Sequence, residues 1–458
     1  MRETKRTMMW YEFYQDANIE EHLEKMAAKG WRLEKIGYLL RYRRAEPAHV
    51  RYAVTYFSES SEFNPSPTEN EETLLEYCAA AGWDFVAGWH QMMIFSTEQE
   101  DAPPIETEGA VKLKAIHRAM KKNFLPSGFV LLALFGFNLA MQFRFAEESF
   151  PSFLADGVQI GGALMMLLLV CHYGSILLSY FLWYWAAKRS VEQGGLCPKR
   201  RSRFARVRQM VLLVAAIAVL LFLYIPAAVR LGRGTLGHIL FMLCAYGFLV
   251  AAVQLVRGWL KHRGVSAWTN RIVSIGLAFV LGAGITGGSA AYIVRTYRSV
   301  QSNGAETEIY VTPYGTERVL RRDPLPLKME ALRPIQDAPW SYELTEHWSP
   351  LALLREGRQV EYKKLESLDY EILDVKTDFL YRACLRDYLG TEEDTGLEYS
   401  VMDEAQWDAD AAYRLSIDGE EMNSWLLCRN RRIVRIAFDW TPTPAQMALA
   451  GEKLFSGA

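Results

Sequence analysis

The chain carries little from which a catalytic centre is built. Its 458 residues contain eight histidines and six cysteines. Those cysteines (Cys78, Cys171, Cys197, Cys244, Cys384 and Cys428) have no metal-ligand spacing. No Gly-x-Ser-x-Gly, His-Glu-x-x-His, phosphate-loop or calcium-loop pattern occurs. The expectation is therefore a protein that is not an enzyme and holds no cofactor and no metal. Residues 1–12 lack the apolar stretch of a cleavable leader. Acidic side chains are absent from the five longest apolar runs, which removes the usual carboxylate relay of a proton or cation pump.

Those runs are the dominant positive feature. They cover about 125–143, 158–185, 210–229, 236–256 and 272–294, each long enough for a helix to cross a hydrocarbon core of about 30 Å. Without a leader, the first run is expected to direct its own insertion. Basic residues cluster at alternate connections: Lys112, Lys114, Arg118, Lys121 and Lys122 before the first run, eight Lys and Arg residues from Lys188 to Arg208 after the second, and Arg257, Lys261, Arg263 and Arg271 after the fourth. By the positive-inside rule this predicts a multi-pass protein of the bacterial cell membrane, with the N-terminus cytoplasmic and the C-terminus extracytoplasmic.

Charge divides the chain the same way. Residues 1–123 hold 16 basic and 20 acidic side chains, 124–297 hold 16 and 4, and 298–458 hold 19 and 29, so the overall net charge of −2 is a cancellation. An acidic outer region argues against anionic polymers. The basic inner loops are accounted for by membrane lipid, with no nucleic acid needed.

Residues 1–110 contain a duplication. Leu23-Glu-Lys-Met-Ala-Ala-Lys-Gly-Trp31 aligns with Leu75-Glu-Tyr-Cys-Ala-Ala-Ala-Gly-Trp83 at an offset of 52 residues. Each copy reads as strand, helix, two strands: leading strands at 10–14 and 51–57, helices at 19–28 and 71–80, then paired strands. Gly30 and Gly82 stand where a helix C-terminus needs a left-handed residue. Trp31 and Trp83 follow, large enough to close each helix onto the sheet, with stacking on a ligand the other reading. The prediction is one α+β domain, ferredoxin-like, with both helices on one face of an antiparallel sheet. Trp10, Tyr11, Phe13, Tyr14, Trp89 and His90 form either an exposed peptide-binding face or a second layer of core.

The Ala-Ala-Lys-Gly-Trp motif, the Arg-Tyr-Ala-Val-Thr-Tyr-Phe strand at 51–57 and the second Ala-Ala-Gly-Trp followed by Met93-Ile-Phe-Ser-Thr97 resemble the bacterial family known as domain of unknown function 2812. The resemblance covers about the first 100 residues. It implies a domain placed ahead of membrane spans, in a regulatory or envelope-stress setting, often encoded beside small PadR-type regulators. It brings no catalytic or binding residues.

After a basic juxtamembrane segment at 111–123, the runs occupy 124–297. Polar side chains within them are few. His172 lies near the centre of the second run, read either as a neutral histidine bonded between helices or as a proton- or ligand-binding group. Tyr180, Phe181, Trp183, Tyr184 and Trp185 read as an aromatic anchoring belt. Gly284 and Gly288 give the fifth run a small-x-x-x-small face, which serves either packing within a five-helix bundle or a homodimer.

Residues 298–458 predict an extracytoplasmic acidic α+β domain. It includes a strand hairpin at 423–428 and 433–440, strands near 370–375, a segment at 379–389 that reads as strand or helix, and a closing helix capped by Thr443-Pro444. Cys384 and Cys428 are the only pair placed where a disulfide persists. The fold class expected is thus a multi-domain membrane protein: a duplicated β-α-β-β domain, a five-helix bundle and an outer α+β domain. Its expected role is signalling or sensing that links the outer domain to a cytoplasmic protein partner. A transporter or transporter accessory subunit is the alternative.

Overall fold

The duplication of sequence is also a duplication of fold. In a computed structural model, residues 3–37, 39–61, 63–65, 67–106, 108–122, 124–198, 202–226, 233–300, 308–311, 317–335, 339–361, 366–390 and 397–456 are described. The first copy comprises β1 (Thr4–Met8), α1 (Asp16–Ala27), β2 (Trp31–Lys35) and β3 (Leu39–Arg44). The second comprises β4 (Arg51–Tyr56), α2 (Glu69–Ala80), β5 (Asp84–Trp89) and β6 (Met92–Thr97). Each copy closes its own three-stranded antiparallel sheet, ordered β1-β3-β2 and β4-β6-β5.

Two expectations are corrected here. The domain does not have the single antiparallel sheet of a ferredoxin-like fold. The edge strands β2 and β5 lie beside each other but do not pair; both carry register shifts at equivalent places, Leu33/Lys35 and Phe85/Ala87, and a bulge of this kind interrupts an edge's pairing. The leading strand of the first copy lies at Thr4–Met8 rather than at 10–14, because Phe13 and Tyr14 are buried in the core instead.

The two glycines end their helices as predicted, with φ of +75° at Gly30 and +84° at Gly82. Their tolerance to a side chain differs. A Cβ at Gly30 would lie 2.7 Å from the Ala45 backbone oxygen, whereas at Gly82 it would meet the mobile end of Gln99 at 2.5 Å. Gly82→Ala should therefore cost about 1–2 kcal/mol, the left-handed penalty alone, and Gly30→Ala should cost more. Thermal melting of the two purified full-length variants checks the order.

Among the described residues the helices that follow include α3 (Gly109–Lys122), α4 (Phe124–Glu148), α5 (Phe150–Ala155), α6 (Gly157–Glu192), α7 (Ser202–Val219), α8 (Arg233–His262) and α9 (Ala267–Val300). Among the described residues, three helical stretches are long and apolar enough to cross a membrane: Phe124–Glu148, Gly157–Glu192 and Ala267–Ser289. The apolar stretch Val207–Phe222 is shorter. Part of the expected third run, residues 227–229, lies outside the described residues.

By internal contacts the chain forms two units. One holds residues 1–138, 165–217 and 239–288, and the other 139–164, 218–238 and 289–458. In the second unit, a two-stranded hairpin of β7 (Glu308–Val311) and β8 (Glu317–Leu320) precedes the short α10 (Met329–Leu332). Then come β9 (Trp340–Trp348), β10 (Ala352–Glu361), β11 (Ser367–Val375), α11 (Asp378–Leu389), β12 (Leu397–Met402), β13 (Ala411–Ile417), β14 (Glu420–Arg429), β15 (Arg432–Phe438) and α12 (Pro444–Phe455). The seven strands β9–β15 form one antiparallel sheet, ordered β12-β13-β14-β15-β11-β10-β9.

Its local signals are those of the sequence. Residues 379–389 are helical, and α12 has a capping box of Thr443 and Gln446. The β14–β15 hairpin turns through Asn430 and Arg431, both at positive φ, the backbone a two-residue turn demands.

One face of this sheet is covered by α10 and α12 over a core that includes Trp407, Trp425 and Phe438. On the other face, among the described residues, α5 and α11 cover one end. There Leu154 and Ala155 of α5 join Leu354, Leu373 and Ile433, and Ser349 Oγ donates 2.6 Å to the Leu154 carbonyl. The connection between the first two apolar runs thus supplies part of the C-terminal domain's core, which the sequence did not foretell. Cys384 and Cys428 lie in the same layer as free, buried thiols, not a disulfide.

Candidate functional site at the junction of the duplicated domain and the helix ends

The aromatic residues of the duplicated domain do not form an open face. Phe13 and Tyr14 are buried, and they meet the helices that follow. Ring centroids of Tyr14 lie 5.3 Å from Tyr180 and 4.9 Å from Trp183, and Phe13 lies 4.5 Å from Phe124. Trp89 and His90 also pack near Phe124. The anchoring belt at the end of α6 therefore divides in two. Trp185 is 60% exposed, as a bilayer anchor would be, while Tyr180 is fully buried and Trp183 nearly so. The amphipathic α3 adds Leu113, Ile116, Ala119 and Met120 to this continuous core. His117 holds it in register: its Nδ1 lies 2.6 Å from the Tyr180 hydroxyl and its ring stacks on Tyr184.

Two buried ionic groups sit in this junction. Arg208 of α7 pairs with Glu12, and the same guanidinium donates to Ser179 Oγ at 3.0 Å and to the Ser175 carbonyl at 3.4 Å. The side chains are 10% and 8% exposed. The apolar runs contain no acid of their own; the duplicated domain delivers one to them. Among the described residues Arg208 Nε and Glu12 Oε2 are buried without a hydrogen-bond partner, and the pair is costly to separate.

The second group centres on Lys112 of α3. It pairs with Asp16 at the start of α1 and lies 3.9 Å from Glu106. Glu106 also accepts from Thr55 Oγ1, and Glu20 accepts from the Val54 amide at 2.9 Å. Burial raises the carboxyl groups of Glu20 and Glu106 above the ordinary glutamate range, with Lys112 opposing. For Lys112 burial acts downward, but Asp16 and Glu20 outweigh it and hold the ammonium form.

Lys112→Met should leave three carboxylates without their cation. An acid whose folded pKa is raised stabilises the fold below its unfolded pKa, and that contribution is lost as pH rises through the folded value. The variant's deficit in melting temperature is expected to be smallest in mild acid and to grow toward neutral pH. Melting curves of the intact protein across that range measure it.

A third contact involves the β4–α2 loop. Phe63 lies under the guanidinium groups of Arg257 (5.9 Å) and Arg271 (5.4 Å), which close α8 and open α9, while Lys122 Nζ donates 2.8 Å to the Ser58 carbonyl. One domain therefore touches the start of α4, the end of α6, the start of α7, the end of α8 and the start of α9. These are the ends marked in the sequence by basic residues.

With this geometry in view, family comparison is informative about one segment. Residues 15–127 match the family described as Protein of unknown function (DUF2812). No curated protein and no solved structure matches the chain. The DUF2812 match takes in the first copy from α1 onward without its leading strand β1, the whole second copy, α3 and the first residues of α4, and so includes the Lys112 cluster. Glu12, Tyr180 and Arg208 fall outside it.

None of the remaining candidates bonds directly to these ionic groups, although Trp31 packs against the same core and Ser175 bridges His172 to Arg208. Trp83 is buried and donates from Nε1 to the Pro103 carbonyl at 2.7 Å, so it anchors core. Trp31 is half-buried, with Lys5 and Arg44 near its ring. His172 lies half-buried in α6 beside Tyr173, and Ser175 Oγ donates to its carbonyl at 2.8 Å. A Cβ built at Gly284 or Gly288 would meet nothing within 4 Å, so this spacing serves no close helix approach within the described chain. Among the described residues no group of three or more His, Cys, Asp or Glu could hold a metal ion.

Proposed function

We propose that this chain is a non-enzymatic protein of the bacterial cell membrane that senses or signals. In this reading residues 298–458 bind on the outer side, and the duplicated domain, residues 1–110, carries the state to a cytoplasmic protein partner. The observation that carries the reading is the buried junction. A domain fixed to the ends of successive helices by Glu12–Arg208, Tyr14–Tyr180 and Phe63 must respond when those helices shift. A free-standing scaffold has no need of such contacts.

The topology proposed is five spans, with the N-terminus cytoplasmic and the C-terminus outside. Two separate supports exist for it. The basic residues lie at the helix ends that the duplicated domain contacts, and α5, from the connection after the first run, packs into the C-terminal domain. A cysteine placed at the exposed Val401 should react with a membrane-impermeant maleimide in whole cells. Labelling only after lysis would overturn this orientation.

The function is tested by cross-linking and capture of the full-length protein from cells, alongside transcript measurement after gene deletion. No specific cytoplasmic partner and unchanged neighbouring transcription would together defeat it. The alternative, a transporter or an accessory subunit, draws on the polar set His172, Ser175 and Ser179 along α6. His172→Leu without loss of any transport phenotype removes its best residue.

A further inference from the structure

Among the described residues, the part of the C-terminal sheet that no helix covers is a polar shelf rather than exposed core. Beyond the end covered by α5 and α11, the face carries two cross-strand rows: Thr345–Glu356–Glu371–Arg435 and Glu343–Arg358–Asp369–Ala437. They border a groove of about 480 Å³ that also reaches Tyr399 of β12. That volume accommodates a few side chains and lies within the range of small binding sites.

Charge decides what fits. Arg358 pairs with Asp369 at 3.2 Å, and Arg435 pairs with Glu371, which also accepts from Tyr388 at 3.3 Å. Glu356 has no such partner: among the described residues it makes no hydrogen bond or ion pair, although it is half-buried and directly opposite Glu371. Like charges facing each other across an antiparallel pair are destabilising. Burial first, and then Glu371, push the Glu356 carboxyl above the ordinary glutamate range, against His347 and Arg435. An added cation relieves that cost.

We infer that this shelf docks an extended peptide segment of a partner protein bearing lysine or arginine at alternate positions. The spacing supports a peptide. Residues two apart on the sheet stand about 6.7 Å from each other, and so do alternate side chains of an extended ligand, so two basic groups reach both rows together. The domain as a whole, with 19 basic and 29 acidic side chains, repels a second copy of itself and favours such a partner.

The placement of the shelf outside the cell rests on the reading above, but binding by the purified chain does not. Fluorescence anisotropy of a labelled alternating Lys-Ser octapeptide with the full-length protein in neutral detergent is the measurement. Saturable binding is expected, weakened roughly tenfold by Glu356→Gln, the loss of one charge-assisted contact. Glu398→Gln, on the opposite face of β12, should leave binding unchanged; neither variant should melt below the parent, and Glu356→Gln should melt slightly above it because it removes the charge facing Glu371. Equal weakening by the two substitutions would mean diffuse attraction and overturn the proposal. Absence of binding, or equal affinity for a peptide whose lysines form one block, would do so as well. Spermine displacing the peptide at matching concentration would reassign the shelf to small polyamines. Orientation and partner capture fail or succeed separately from all of these.

Discussion

Replacing Arg208 with methionine is expected to loosen the duplicated domain from the helices and to lower the melting temperature more than any other single exchange on that side. The Glu12 carboxylate would stay buried at the junction with its cation gone. Breaking a buried pair from one side typically costs about 3–5 kcal/mol, because the remaining charge is left uncompensated. Ser179 Oγ would lose the hydrogen bond from Arg208 too. The double variant Glu12→Met/Arg208→Met removes both charges and fills the space with apolar volume, so it should recover most of the loss. With Glu12→Met alone and the parent, these variants form a double-mutant cycle, read by thermal melting in detergent and by protease access to the junction near Glu12. If the single variant melts like the parent, the pair is solvated and the coupling proposal loses the contact on which it chiefly stands.

The second large effect belongs to Gly451. It lies in α12 against the turn Glu404–Trp407. A Cβ there would come within 2.8 Å of the Trp407 carbonyl carbon and closer still to its oxygen. Backbone has no rotamer with which to yield, so Gly451→Ala must push the helix off the sheet. About 3 kcal/mol, the upper part of the overpacking range, is expected. Trp407 is buried, with its ring 5.3 Å from Trp425, so a red shift of tryptophan emission should accompany the loss. Gly419→Ala is the control: that glycine has φ +82° but nothing within 4 Å of a built Cβ, so only the backbone penalty of about 1–2 kcal/mol applies.

The features legible in the sequence are those whose cause is local. Gly30 and Gly82 announce helix ends because a left-handed residue is required within a turn of the last helical bond. Thr443-Pro444 caps a helix through atoms three residues away. The β14–β15 hairpin needs only two short alternating segments and a tight turn. The second-copy helix is legible to within two residues of its start at Glu69 for the same reason, since its signals lie inside the segment.

What escaped depends on partners far along the chain. Glu12 and Arg208 are separated by 196 residues; neither has a local pattern that distinguishes it from a solvated charge. Tyr180 and Trp183 have the composition and spacing of an interfacial belt, and only the approach of Tyr14 turns them into core. Helix α5 lies in what reads as a short connection, and its burial is created by a sheet formed from residues far downstream. Glu356 and Glu371 sit on different strands, and only the register sets them face to face.

By itself, then, the sequence determined the repeat, the helix and turn boundaries, the apolar segments and the uneven distribution of charge, because covalent neighbours and periodicity are enough to specify these. Only the tertiary structure decided that the duplicated domain forms two sheets and is sealed to the helix ends by a buried ion pair. It also decided that, among the described residues, one part of an acidic sheet is left open. Those outcomes depend on which distant side chains exclude water together, and no single segment carries that information.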